Sequence, residues 1–306
     1  MYLINFIKRM SRKSNIPVLI YLALNVFIIA IIIQVMFSDS QINFIQSFFL
    51  ALALYAVSMF IALSPIGEWI LRLQTGCKPI KRVEYSNYIE PLFQEVYTKA
   101  RAMDTSIPED IQLFMNEDEA PNAFATGRKT ICITEGLLSV PESQIKAILA
   151  HEFGHLAHKD TDLILVVSVG NMIISGIIIF IRLAIDLFHF IFHTISSLAG
   201  GQEGAIVALI STIYHLLITA VVVSLTKLWT WIGILFVMKS SRANEYEADE
   251  FAYRLGYGND LCILLDTIDA SGAQGLFASL SSSHPSKNDR IARLQNLGAT
   301  YQRNFK

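Results

Sequence analysis

The chain contains few charged residues and few cysteines for its length. Lys, Arg, Asp and Glu make up 16% of its 306 residues, against about 25% in soluble domains, whereas 53% of the residues are hydrophobic. The net charge of -2 supplies no basic surface, which excludes nucleic acid as a partner. Cys77, Cys132 and Cys262 are scattered, which argues against a disulfide framework or a thiolate metal site. This combination of few charged and many hydrophobic residues is typical of a membrane protein.

Long apolar stretches predict four transmembrane helices. The first two are close to the ~20 residues that cross a bilayer. The other two have about 30 residues or more, so part of each must leave the membrane or tilt strongly. A Gly-rich break at 197–204 separates them and predicts a helical hairpin. The four stretches are 16–37, 47–63, 163–193 and 205–238.

The distribution of cations predicts the orientation of these helices. Four Lys or Arg residues precede the first stretch and four follow the second, whereas 38–43 between them carries none. By the positive-inside rule, both flanks lie in the cytoplasm. We therefore expect the termini and the segment after residue 70 on the cytoplasmic side.

His151, Glu152 and His155 form an HExxH pattern. On a helix, residues four apart share a face, so the two imidazoles can bind one zinc ion. Glu152 between them can take a proton from the water that attacks a peptide carbonyl. Such a short pattern also occurs by chance in proteins that bind no metal. The capping-box pattern at 139–142 and the apolar spacing after it place the pattern on a helix.

The segment before this helix has the composition of a soluble domain. After an amphipathic helix at 87–103, three short patterns predict strands of a small sheet beside the zinc helix. Asn122, Ala123 and Phe124 lie on one of them, and an edge strand can bind an extended substrate through backbone hydrogen bonds. Alternatively, Asn122 and Phe124 only close a turn and fill the core.

A third zinc ligand is expected beyond the last apolar stretch. Glu245 and Asp249 are four apart, which suits one carboxylate that binds the metal and another that holds the far nitrogen of a bound histidine. Because Glu247 and Glu250 are acidic too, a solvated acidic face explains the pattern equally well. The spacing alone leaves both interpretations open.

Other polar residues are weaker candidates. His158 extends the pattern to HExxHxxH, but the glycine and third histidine of another protease class are missing. We expect it at the surface. Arg182 and Asp186 are four apart and are interpreted as an ion pair near the membrane surface. His189 and the histidine four residues later lack the glutamate of the first motif.

Several motifs occur in the order of one known family. They are NAFATG at 122–127, TEGLL at 134–138, HEFGH at 151–155 with Asp160, RANEYEAD at 242–249, and HP at 284–285 followed by RIARL at 290–294. From about residue 70 onward, the chain resembles the HtpX-type membrane zinc metalloproteases, gluzincin-type relatives of the CAAX prenyl protease. The resemblance implies that Glu245 joins the two histidines in binding one zinc ion, with Asp249 supporting a ligand. His284 and Arg290 would then be catalytic residues that stabilise the oxyanion.

The expected fold is a predominantly α membrane protein with a small β-sheet, four transmembrane helices and a cytoplasmic zincin-like metalloprotease domain. Along the chain, we expect two transmembrane helices, the first part of the catalytic domain, a transmembrane hairpin and the second part of the catalytic domain. Their bounds are 1–70, 71–160, 161–239 and 240–306.

The resemblance implies an endopeptidase of the bacterial inner membrane that acts in protein quality control. Its partners would be the lipid bilayer and polypeptide substrates, namely membrane proteins or unfolded segments, cleaved on the cytoplasmic side. One alternative is a CAAX-type processing protease for lipidated C-termini. Another is a non-catalytic membrane scaffold stabilised by zinc, in which Glu152 would have no purpose.

Overall fold

A computed structural model describes residues 15–36, 42–267 and 285–303 of the chain. A short 3-10 helix, Glu135–Ser139, leads into the helix of the HExxH motif, and π-helical segments, Leu165–Gly170 and Tyr253–Tyr257, flank the longest helix. The other elements are α1 Ile16–Met36, α2 Phe44–Ala62, α3 Pro65–Thr75, β1 Lys78–Pro79, α4 Val83–Met103, β2 Gln112–Asn116, β3 Ala123–Ala125, β4 Thr130–Thr134, α5 Glu142–His158, α6 Asp160–Ile164, α7 Asn171–Ala252, α8 Gly258–Thr267 and α9 Lys287–Leu297.

Four helical stretches are long and apolar enough to cross a membrane, as predicted: Ile16–Gln34, Phe44–Ala62, Asp160–Phe192 and Leu209–Gly233. The last two belong to a hairpin. The helical backbone of α7 continues for 82 residues, about 120 Å if it were straight. However, Nη2 of Arg182 lies 3.1 Å from Nδ1 of His215, 33 residues further on.

α7 therefore doubles back, with a first arm from Asn171 to the turn and a second arm from the turn to Ala252. The contact between the arms confirms the predicted hairpin. The expected Gly-rich break at 197–204 is wrong, because the backbone there keeps helical hydrogen bonding.

A polar network joins α1 to both arms of this hairpin. Asn25 donates a hydrogen bond to Asn171, Asn171 donates to the Tyr21 hydroxyl, and Trp229 Nε1 donates to Asn25 Oδ1 at 3.0 Å. The rings of Tyr21 and Trp229 stack with centroids 5.1 Å apart. Buried polar groups in a membrane need such internal partners because no water is available. The network therefore fixes the three helices against one another.

The predicted small sheet is present, with the strand order β1-β2-β4-β3. β2 and β4 are parallel, whereas β1 and β3 pair with them in the antiparallel direction. The sequence did not reveal β1, since two residues are too few to show alternation. β3 lies at one edge of the sheet, on the side that faces α5.

α5 lies at the centre of the core. Phe153 is fully buried and packs against Phe93 and Tyr97 of α4, with ring centroids 5.5 and 5.7 Å apart. The predicted capping box is wrong. Ser139 belongs to the preceding 3-10 helix and donates its hydroxyl to a carbonyl there, and α5 begins after Pro141 with no side-chain cap.

Candidate metal centre

Three side chains from two helices converge on one face of α5. His151 and His155, one turn apart, have Nε2 atoms 3.1 Å apart. Glu245, in the last turns of α7, places Oε2 3.4 Å from Nε2 of His151 and Oε1 3.4 Å from Nε2 of His155. Two imidazole nitrogens and a carboxylate that meet in this way can hold a divalent metal ion.

The acidic segment of α7 is not a solvated face. Glu245 and Asp249 are 2% and 1% exposed, and both contact the histidines of α5. Glu247 and Glu250 are only partly buried. The four acidic residues therefore divide into two that face the site and two that face away from it.

Each histidine has a carboxylate beside its other ring nitrogen. Nδ1 of His151 lies 2.9 Å from Oδ1 of Asp249, and Nδ1 of His155 lies 3.0 Å from Oδ2 of Asp160. A carboxylate that accepts the Nδ1 proton leaves the Nε2 lone pair for a metal and fixes the orientation of the ring.

Sequence reasoning assigned no role to Asp160. α5 ends at His158, and Lys159 then adopts the left-handed conformation with φ of 59°. This turn brings Asp160 back against His155. The helical period could not reveal the contact, because residues five apart do not share a helical face. The Asp160 in the family motif was the available clue.

Arg290 of α9 lies against the same carboxylates. Its Nε and Nη2 donate to the two oxygens of Asp249 at 2.8 and 2.6 Å, and its Nη1 lies 3.4 Å from Oε2 of Glu245. Such a bidentate arginine–carboxylate pair is strong and directional. Burial alone would raise the pKa of Asp249, but Arg290 and His151 lower it to about 2. His284, the predicted partner of Arg290, lies outside the described residues.

The carboxylates also change the protonation of the two histidines. Burial disfavours the charged imidazoles, but Asp249 and Glu245 outweigh it and raise the pKa of His151. Glu245 and Asp160 likewise raise the pKa of His155 well above its ordinary value. Protons and metal ions therefore compete for the same nitrogens, so metal affinity falls as the pH falls.

Glu152 faces the edge strand β3. Its carboxylate is buried, and Oε2 accepts a hydrogen bond from the Ala125 amide at 2.7 Å. The Asn122 carbonyl and the Thr126 amide bond to β4, each at 2.9 Å. By the alternation of antiparallel pairing, Ala123 and Ala125 direct their backbone groups away from β4, toward the edge of the sheet. That edge therefore runs alongside Glu152.

Other candidate residues lie away from the three donors. His158 is half-buried at the end of α5, with its ring against Phe251. The predicted pair of Arg182 and Asp186 is present, with Nη2 and Oδ1 3.3 Å apart. His189 stacks on another histidine of the hairpin. None of these side chains joins the metal centre in the part of the chain that the structure describes.

Gly154 allows the close approach of α5 and α7. A Cβ atom at this position would lie 2.8 Å from the Cα of Ala248, which is a backbone atom and cannot easily move. Ala248 lies between Glu245 and Asp249, so the contact brings both carboxylates within reach of the histidines. Any side chain at position 154 would push the two helices apart.

We expect Gly154→Ala to weaken metal binding and to destabilise the fold by roughly 1–3 kcal/mol, as overpacked sites do. Gly176→Ala is the matched control, because open space surrounds that helical glycine, and alanine there favours the helix by about 1 kcal/mol. Metal titration and thermal unfolding of both variants test the prediction. Equal metal affinity in the two variants would contradict it.

Comparison with known proteins gives a consistent result. Residues 86–298 match the family model described as Peptidase family M48. "Protease HtpX homolog" of Campylobacter concisus (strain 13826) is 31% identical over 215 residues, which cover 61% of this chain and 68% of the relative. "Protease HtpX homolog" of Acaryochloris marina (strain MBIC 11017) is 27% identical over 269 residues, with coverages of 79% and 84%. "Protease HtpX" of Pseudomonas fluorescens (strain Pf0-1) is 27% identical over 256 residues, with coverages of 76% and 80%.

Proposed function

Because the chain belongs to peptidase family M48 and is an HtpX-like membrane metalloprotease, we propose that it uses one zinc ion. The ligands in this proposal are His151, His155 and Glu245. Two histidines and a glutamate form a known catalytic zinc set. Donors bound to one tetrahedral zinc at ~2.1 Å lie about 3.4 Å apart. The two Nε2 atoms are 3.1 Å apart, and each lies 3.4 Å from one of the two carboxylate oxygens of Glu245, so the carboxylate lies within ligand distance of both.

Glu152 acts as general base in this proposal. A bound zinc ion would supply Lewis acidity toward a water molecule and the scissile carbonyl. Glu152 takes the proton from the attacking water and returns it to the leaving amine. The Ala125 amide holds one carboxylate oxygen, which orients the base toward the edge of β3. That contact is the observation that carries the proposal, because it places the base beside the strand where a peptide can lie.

For Arg290 and His284, we propose stabilisation of the oxyanion, as the family resemblance implies. The contacts of Arg290 support a further, positioning role. Its guanidinium holds Asp249, which in turn orients His151. Loss of Arg290 would also leave a carboxylate buried without its cation, which is costly.

Asn122, Ala123 and Phe124 are proposed to bind substrate through the backbone. Ala123 directs its amide and carbonyl away from β4, toward the edge of the sheet, whereas Asn122 and Phe124 bond to β4 and hold the strand in place. An extended peptide added to this edge would pass alongside Glu152. Because backbone groups are common to all sequences, such binding suits many unfolded substrates.

We expect Ala123→Pro to raise KM or lower kcat for unstructured substrates while zinc content and fold persist. Proline removes the outward amide, and an edge strand tolerates it. Ala123→Ser is the matched control because it keeps the amide. Kinetics with casein, together with metal analysis, test the prediction. Wild-type kinetics in a folded, zinc-loaded Ala123→Pro variant would exclude edge pairing.

The proposed role is cleavage of membrane proteins or misfolded segments at the cytoplasmic face of the bacterial inner membrane, in protein quality control. Two observations support it. The cations that follow the second apolar stretch belong to the soluble part that carries the metal centre, where Arg72 donates to Thr130 of β4. Edge pairing, in addition, requires a locally unfolded substrate.

Cysteine labelling in intact cells tests the orientation. A cysteine at Ser40 or Gly201, in a background without the native cysteines, should react with an impermeant thiol reagent from outside. A cysteine at Ala120, beside the edge strand, should react only after the membrane is permeabilised. Labelling at Ala120 from outside would reverse the proposed topology.

A further inference from the structure

A cavity of about 480 Å³ lies between α1 and the two arms of the α7 hairpin. Its walls are almost entirely apolar. Representative lining residues are Ile29, Ile32, Ile174, Ile178, Leu225 and Leu228. The cavity is separate from the metal centre, and the catalytic proposal gives it no role.

The cavity extends through one leaflet of the membrane. Asn25, midway along α1, donates a hydrogen bond to Asn171, and both line the cavity together with Arg182, further along the first arm. The eleven helical steps from Asn171 to Arg182 rise about 16 Å, close to half of the ~30 Å hydrocarbon core. Ile32, which also lines the cavity, is four residues from the end of α1. The leaflet is therefore the one remote from the metal centre.

Polar groups bound the cavity at both of its ends. At the inner end, the network of Asn25 and Asn171 is satisfied by its own hydrogen bonds. At the outer end, Asp186 and His215 hold the Arg182 guanidinium, and 22% of the Arg182 side chain is still exposed. A cation at the edge of the hydrocarbon region lies at the depth of lipid phosphates.

We propose that this cavity binds one acyl chain of a phospholipid from the remote leaflet, with the headgroup phosphate beside Arg182. Water is a poor occupant because the walls offer it almost no polar partners. A transmembrane helix is too large, since a helix about 10 Å wide and ~30 Å long has several times the volume of the cavity. A single acyl chain matches the apolar walls, the depth and the volume of small-ligand sites, ~300–1,000 Å³.

The bound chain has a structural consequence. Leu225 and Leu228 belong to the second arm, whose helix continues without interruption to Glu245. An acyl chain between α1 and this arm completes the packing that holds the arm in place. The lipid is therefore a component of the membrane part of the fold.

Photo-crosslinking tests the proposal on the full-length protein in nanodiscs that contain phosphatidylcholine with a diazirine on one acyl chain. Ile178→Trp fills the cavity, whereas Ile177→Trp, its neighbour on the same helix, points away from it. Ile178 is 8% exposed and lines the cavity, and Ile177 is 39% exposed and does not. Mass spectrometry locates the crosslinks.

We expect crosslinks on cavity-facing residues of α1 and both arms in the wild type and in Ile177→Trp, and their loss in Ile178→Trp. If Ile178→Trp does not fold, Leu225→Trp, at an exposed position on the other wall, replaces it. Unchanged cavity crosslinks in a folded variant of either kind would overturn the site. Preferential crosslinking of a photoreactive fatty acid would overturn the phospholipid assignment.

Discussion

Replacing Glu152 with glutamine should remove proteolysis while the metal stays bound. Glutamine cannot take a proton from water, and loss of a general base typically lowers the rate by ~10²–10⁴-fold. The three proposed ligands are untouched. The side-chain carbonyl of glutamine can still accept the Ala125 amide that bonds to Glu152 at 2.7 Å, so the edge strand should keep its position. The variant therefore distinguishes loss of the general base from loss of the metal or of the fold.

Metal analysis and a protease assay on the same preparations decide this prediction. Casein or a membrane-protein substrate is incubated with and without a chelator. Glu142→Gln is the matched control, because Glu142 is exposed in the first turn of the same helix. The control should behave like the wild type, and both should lose activity with the chelator. Full activity in Glu152→Gln would reject Glu152 as the base.

Glu245→Ala should lose both the metal and the activity. The change removes one of three donors and also leaves Arg290 and the two buried imidazoles without a carboxylate that they contact. Glu247→Ala is the matched control, since Glu247 lies on the same helix and is partly exposed. Glu247→Ala should bind metal normally. Wild-type metal content in Glu245→Ala would show that another residue is the third ligand.

A graded series distinguishes ligands from the residues that orient them. Asp249→Asn and Asp160→Asn keep all three donors but weaken the hold on one imidazole each. We expect metal affinity to fall by ~10–100-fold, the usual effect of changing such a supporting carboxylate. Asp249→Asn should also lower stability, because it leaves Arg290 buried without its main counterion. Asp160→Asn lacks that second effect.

Local patterns in the sequence were enough to predict much of this architecture. Apolar length predicts the four membrane helices, and strand alternation predicts the sheet. The HExxH spacing predicts one face of α5 that carries both histidines. In each case, the information lies within one element, where a fixed geometric period relates sequence to space.

Contacts between elements were harder to predict from the sequence. Arg290 comes from α9, far along the chain from Asp249, and no period connects the two. Asp160 reaches His155 only because Lys159 reverses the chain in a left-handed turn. For Glu245, the residues alone allowed a solvated face as well as a ligand. The choice depended on tertiary packing, which here is set by the contact of Gly154 with Ala248.

The long hairpin also determines when during biosynthesis the enzyme can become active. His151 and His155 are translated before the hairpin, and Glu245 is translated after it, at the end of the second arm. The two halves of the site can meet only when both arms lie side by side. A nascent chain that has not yet completed the hairpin therefore carries an incomplete site. The order of the elements along the chain therefore delays assembly of the proposed site until the membrane hairpin is complete.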